Sequence, residues 1–161
     1  MDHAIEELRK QSLSKLKKHG ITGANVYLID LIPLIEMIWA DGKAQEAEVS
    51  ILQTYLDHHV KHINHIAGYT VLDVEAATTF IQGFLKKRPD PGLLKTLRDL
   101  IPSVRLSSTD TQASDLVKES LLAACLDIAA SCVIRYPYGL SERFDPREKR
   151  CFFEIVESFK P

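Results

Sequence analysis

An all-α fold is predicted by three features of the sequence. Apolar residues recur at helical spacing along almost the whole chain, strand-type alternation occurs nowhere, and breaks such as "HGITG" and "RPDPG" separate the periodic segments. Two of those segments, "VYLIDLIPLIEMI" and "LLAACLDIAASCVI", are apolar on nearly every side, the mark of central helices in a bundle. About seven helices are expected. The 161 residues correspond to a single domain, residues 1–161, able to bury a core without disulfide staples.

The first helix runs from about Asp2 to His19, with Ile5, Leu8, Leu13 and Leu16 on one side and "HGITG" as its stop. The second runs from about Asn25 to Ala40, with a kink expected at Pro33, which lacks an N–H and crowds the preceding turn. After an Asp-Gly turn the third spans about Gln45 to Ala67 and ends at Gly68. The fourth, about Val71 to Lys87, is cut off by "RPDPG". The fifth covers about Leu93 to Leu106. Beyond the polar "SSTDTQAS" lies the sixth, about Ser114 to Ile134, whose "LLAACLDIAASCVI" carries Asp127 as its one charge. The last follows "RYPYGLSERFD", with Asp145 as N-cap, Pro146 at the first helical position and Glu148 three residues after the cap.

Charge and cysteine content narrow the function classes. Twenty Lys and Arg against 22 Asp and Glu give a formal charge of -2, which supplies none of the field a nucleic-acid binder needs. Cys125, Cys132 and Cys151 are odd in number and embedded among apolar residues; Cys125 and Cys132 lie two helical turns apart, too far to bridge. Reduced core thiols in a cytoplasmic protein are expected. The opening "MDHAIEELRK" is acidic where a secretion signal is basic and then apolar, and no charge-free apolar stretch reaches about 18 residues, so no direct membrane insertion is expected.

An internal echo links the two apolar helices. Each is followed by a turn and an amphipathic helix that opens with a glutamate. Glu48 precedes Ile51, Leu52, Tyr55 and Leu56 at the spacings at which Glu148 precedes Cys151, Phe152, Ile155 and Val156. The two halves are read as duplicated hairpins.

The stretch "MIWADGKAQEAEVSILQTYL", an apolar helix ending in Ala-Asp-Gly with a glutamate seven residues after the aspartate, resembles the tellurite-resistance TerB-like family. The specific motif covers Ala40 to Glu48; the helix order extends the resemblance over nearly the whole chain. It implies a compact bundle of about seven helices, a pseudo-twofold pair of hairpins and acidic residues that bind a divalent metal. It also implies a role in resistance to tellurite and other stresses, protein partners that include membrane-associated stress proteins, and no enzymatic reaction. Two departures stand out. Lys43, Ala44 and Gln45 replace the family's Ser-Pro or Thr-Pro opening. The second Asp-Gly is missing: with Tyr136 matched to Asp41, Glu148 lies twelve residues on, a five-residue insertion within "PYGLSERFD".

Two candidate metal sites follow. Asp41, Glu48 and Glu36 surround the first turn, and hard divalent ions such as calcium or manganese take several oxygen ligands of this kind. The spacing fails that of an EF-hand loop. A purely structural role is equally consistent with the residues: Gly42 ends one helix through a positive backbone angle, and Asp41 caps the next. The second candidate is "DHHVKHINH", which holds four of the six histidines. At about 100° per residue His58, His62 and His65 share an arc of about 60°, an arrangement that can ligate zinc or form the solvated edge of an amphipathic helix. His59 points into the core. Asp57-His58-His59 mimics a phosphoesterase motif, but that motif needs strand ends, and none are predicted.

Asp30 and Asp127 each place a carboxylate in an apolar helix, which requires a partner or water; Arg98, Arg135 and Arg143 are candidate partners. Trp39 and the Tyr-rich loop are candidate contacts of a homodimer, with Trp39 equally at home in the core. Two functions remain: a non-catalytic, stress-linked helical module that binds a divalent ion at Asp41 and Glu48 and docks on proteins, or a metalloenzyme that uses zinc on the histidine face.

Overall fold

The structure, a computed structural model, describes residues 2–40, 42, 44, 46–105, 111–131 and 146–159. Among them every regular element is a helix. The chain forms α1 (Asp2–Lys18), a 3-10 segment (Gly23–Leu31), α2 (Ile32–Trp39), α3 (Glu46–Ala67) and α4 (Val74–Leu85). It continues as α5 (Pro91–Asp99), α6 (Ile101–Arg105), α7 (Thr111–Ser131) and α8 (Pro146–Ser158).

Prolines explain why there are more elements than expected. The second expected helix changes type one residue before Pro33. A proline cannot donate to the carbonyl four residues back, so the chain upstream stays wound as a 3-10 helix, and α2 begins with Pro33 in its first turn. At the junction the Ile32 N–H donates to the Ile29 carbonyl, a three-residue step. Pro102 acts in the same way on the fifth expected helix. It cannot donate to the Arg98 carbonyl, and the chain divides at Leu100 into α5 and α6.

The helix ends are set locally. Beyond α1, the Gly20 N–H donates to the Lys17 carbonyl and the Ile21 N–H to the Leu16 carbonyl, each at 3.0 Å, with Gly20 at φ +79°. Leu16 and Ile21 are both buried, completing the apolar contact that accompanies this stop. α4 begins at Val74, later than expected, because Asp73 is its N-cap and accepts a hydrogen bond from the Ala76 N–H at 3.1 Å. α5 starts two residues before its expected first residue: "RPDPG" both stops α4 and starts α5, with Asp90 as cap and Pro91 at the first position.

The α3–α4 connection is tied by Asn64. Its carboxamide oxygen accepts from the Val71 and Leu72 N–H groups at 2.8 and 2.9 Å, and its Nδ2 donates to the Leu72 carbonyl at 2.9 Å. Asn64→Ala removes three bonds from a half-buried site, and chemical denaturation should read a loss of about 2 kcal/mol.

The core is built around α2. Ile32, Leu34, Ile35, Met37 and Ile38 are all buried, as are Leu28, Ile29 and Leu31 of the preceding 3-10 segment. α3, α5, α7, α8 and the 3-10 segment pack around it, with α7 lying against both α2 and α3, while α1 rests on α6. The second apolar helix departs from expectation. α7 is not enclosed on all sides: Leu121, Ala124, Cys125 and Ile128 face inward at helical spacing, whereas Leu126 and Asp127 are exposed.

Candidate functional site

Gly42 ends α2 as the sequence requires. Gly42 adopts φ +88°, and its N–H donates to the Trp39 carbonyl at 2.9 Å, closing the end of α2. Asp41 itself, with Lys43 and Gln45, lies outside the described residues. Glu48 is the third residue of α3 and 0% exposed; Glu148 is the third residue of α8 and 1% exposed. A carboxylate there is favoured by the unpaired N–H groups and positive dipole end of the first helical turn, and both glutamates make interactions within the protein. The tyrosines and arginines of "RYPYGLSERFD", including Tyr136, Tyr138, Arg135 and Arg143, and the cap Asp145 lie outside the described residues, as does Cys132.

Glu36 was expected to share the acidic turn. In the structure its carboxylate instead meets Arg98: Nη1 donates to Oε1 at 3.2 Å and to Oε2 at 3.4 Å. Arg98 is only 3% exposed. The same guanidinium lies 3.6 Å from Asp99 and 3.9 Å from Glu154, so three carboxylates crowd one cation. Burial pushes the Glu36 carboxyl up to about 7, outweighing the opposing pull of Arg98; Glu154 and Asp99 push the same way. Near neutral pH this group exchanges its proton.

Glu36 and Glu154 border an open cleft of about 370 Å³ between the end of α2, the Arg88–Pro91 connection, the start of α5 and α8. Trp39, half-buried, forms part of its wall and is fixed by donation from Nε1 to the Phe84 carbonyl at 2.9 Å. Cys151 also faces the cleft. Burial, with Glu36 beside it, pushes its thiol up to about 12, and Cys125 behind it is raised well above its ordinary value by burial, with Cys151 and Glu36 adding to the shift. Both are free thiols. Protonated at neutral pH, they lack the thiolate that nucleophilic catalysis requires.

The histidine face is solvent-facing. His58, His62 and His65 are exposed, and Asp57-His58-His59 sits in mid-helix, far from the strand-end setting of a phosphoesterase. Among the described residues no three of His, Cys, Asp and Glu form a metal-ligating group. His59 is buried as expected. Its Nε2 is 2.8 Å from the Tyr27 carbonyl, which fixes the tautomer with hydrogen on Nε2, and 3.8 Å from Asp30. Asp30, 1% exposed, has this imidazole as a neighbour. Tyr55 stacks on the same ring. Asp127 faces water.

The Arg98–Glu36 pair was missed although a signal was present. Arg98 follows Leu97 and lies four residues after Leu94, on the inward stripe of an amphipathic helix; a cation there demands a buried acid.

Among the described residues no single helix is long and apolar enough to cross a membrane. Only Glu6–Lys18 joined to Gly23–Trp39 across a 93° bend passes that test, and the second member is the buried core. No family model, curated protein or solved structure matches the chain.

Proposed function

We propose that the protein is a non-catalytic cytoplasmic helical module of the TerB-like kind, made of two related hairpins, α2–α3 and α7–α8. It binds a divalent ion at the acidic corner of the first hairpin and docks on protein partners, membrane-associated stress proteins among them. The supporting observation is the equivalence of Glu48 and Glu148: each is the third residue of the helix that follows a core helix, and each is buried to 1% exposure or less. Burying two carboxylates is costly, so their recurrence at one register is not explained by amphipathic periodicity alone. The second corner lacks the Asp-Gly pair, which leaves Asp41 and Glu48 as the ion-binding pair, with Glu36 turned to Arg98. The protonated Cys151 thiol in the cleft favours a non-catalytic role. Exposed Ile66, Tyr69 and Val74 at the α3–α4 corner supply apolar area for a partner.

Calorimetric titration of metal-free protein with calcium, manganese and zinc tests this function. The double variant Asp41→Ala, Glu48→Ala is expected to lose the binding of one ion that the parent retains, while His58→Ala, His62→Ala leaves it unchanged. Identical isotherms for the acid variant and the parent reject the acidic corner; loss in the histidine variant alone moves the site to the face of α3.

A further inference from the structure

The cleft beside Trp39 is a second feature that a metal-binding corner does not use. Its charged groups fall into two ends. At one end Glu36 and Glu154 flank Arg98, whose hydrogen bonds all go to Glu36, so Glu154 stands at 3.9 Å with its carboxylate unspent. At the other, the Arg88 guanidinium lies beside Gly42: a Cβ placed on that glycine would be 3.8 Å from Nη1. Lys95, exposed, also borders the cleft, and neither the Lys95 nor the Arg88 side chain has an ion pair or hydrogen bond among the described residues. Glu36 lies within α2 and Gly42 just past its end, so the acidic and basic groups reach the cleft from different turns of one segment. Trp39, Pro89 and Pro91 give the space between an apolar lining.

We infer that this cleft binds a small zwitterion of the ω-amino-acid or dipeptide class, with its ammonium toward Glu36 and Glu154, its carboxylate toward Arg88 and Lys95, and its apolar spacer on Trp39. The chemistry at each end is complementary. One guanidinium among three carboxylates leaves negative charge to be met by a cation, and an ammonium near Trp39 also gains from the ring face. An arginine without an ion pair among the described residues suits a carboxylate through two parallel hydrogen bonds. A cavity of about 370 Å³ is at the lower end of the range for small-molecule sites and accommodates such a ligand. Because the Glu36 carboxyl ionises near pH 7, affinity for the ammonium rises as pH passes upward through that value.

Trp39 is the chain's one tryptophan, so its fluorescence reports occupancy directly. The probe is 6-aminohexanoate, with hexylamine and hexanoate as single-charge controls, titrated into full-length protein in metal-free buffer so that the result is independent of ion binding at Asp41 and Glu48. Saturable binding with Kd below about 1 mM is expected, at least about tenfold tighter than either control. Arg88→Ala and Glu154→Gln alter exposed side chains outside the core and are checked for unchanged circular dichroism. Each should weaken 6-aminohexanoate about tenfold or more, with Arg88→Ala sparing hexylamine and Glu154→Gln sparing hexanoate. Absence of saturation, equal binding of probe and controls, or unchanged affinity in both variants overturns the assignment.

Discussion

Arg98→Met is expected to lower the unfolding free energy by about 3 kcal/mol at about pH 8.5 and by clearly less at about pH 6. The asymmetry follows from Glu36. Its folded-state value near 7 lies above its ordinary 4.5, so the folded protein holds the proton more tightly than the unfolded chain. Stability from this group is fully present below 4.5 and is lost as pH rises to 7, after which the parent reaches a plateau because Glu36 is ionised beside Arg98. Without Arg98 the carboxyl is raised further, and stability continues to fall above pH 7 by about 1.4 kcal/mol per unit. Glu36→Gln should remove the slope between 4.5 and 7, which accounts for about 3 kcal/mol in the parent. Urea denaturation at a series of pH values reads all three proteins. A pH-independent cost for Arg98→Met would mean that Glu36 does not titrate in the folded state.

The second large effect concerns the two apolar helices, which the sequence makes look alike. Leu34→Ala, at a fully buried position in α2, is expected to cost about 3–5 kcal/mol, because α2 is enclosed and its surroundings cannot collapse into the void. Leu126→Ala in α7 is expected to stay within about 0.5 kcal/mol of the parent, since that side chain is 40% exposed and alanine favours the helix. Denaturant midpoints of the two variants decide the point. Equal losses would mean that α7 is as enclosed as α2.

Periodicity was sufficient for the fold class because 3.6-residue spacing has no competing interpretation over segments as long as α1 and α3. Boundaries marked by glycine or capping residues, such as Gly20, Gly68 and Pro146, were legible for the same local reason. What the sequence did not reveal depended on tertiary contact. At Pro33 an interruption was legible but not its form, a change from 3-10 to α winding. The inward face of α7 was hidden by a composition apolar on every side. Glu48 was legible as a helix-opening acid but not as a buried one, and Glu36 as an acid near the turn but not as the partner of an arginine 62 positions away. His59 could be placed in the core from its helical angle, whereas its neighbour Asp30 comes from the 3-10 segment and is set by the fold.

The most direct test of the acidic corner is hydrogen exchange on the intact metal-free protein, with and without calcium, manganese or zinc. An ion held by Asp41 and Glu48 bridges the turn to α3, and should slow exchange at the amides of the first turn of α3 in the parent but not in Glu48→Gln, with α8 unaffected. Unchanged exchange in that turn with every ion, or slowing that persists in Glu48→Gln, would contradict an ion-binding role for the corner.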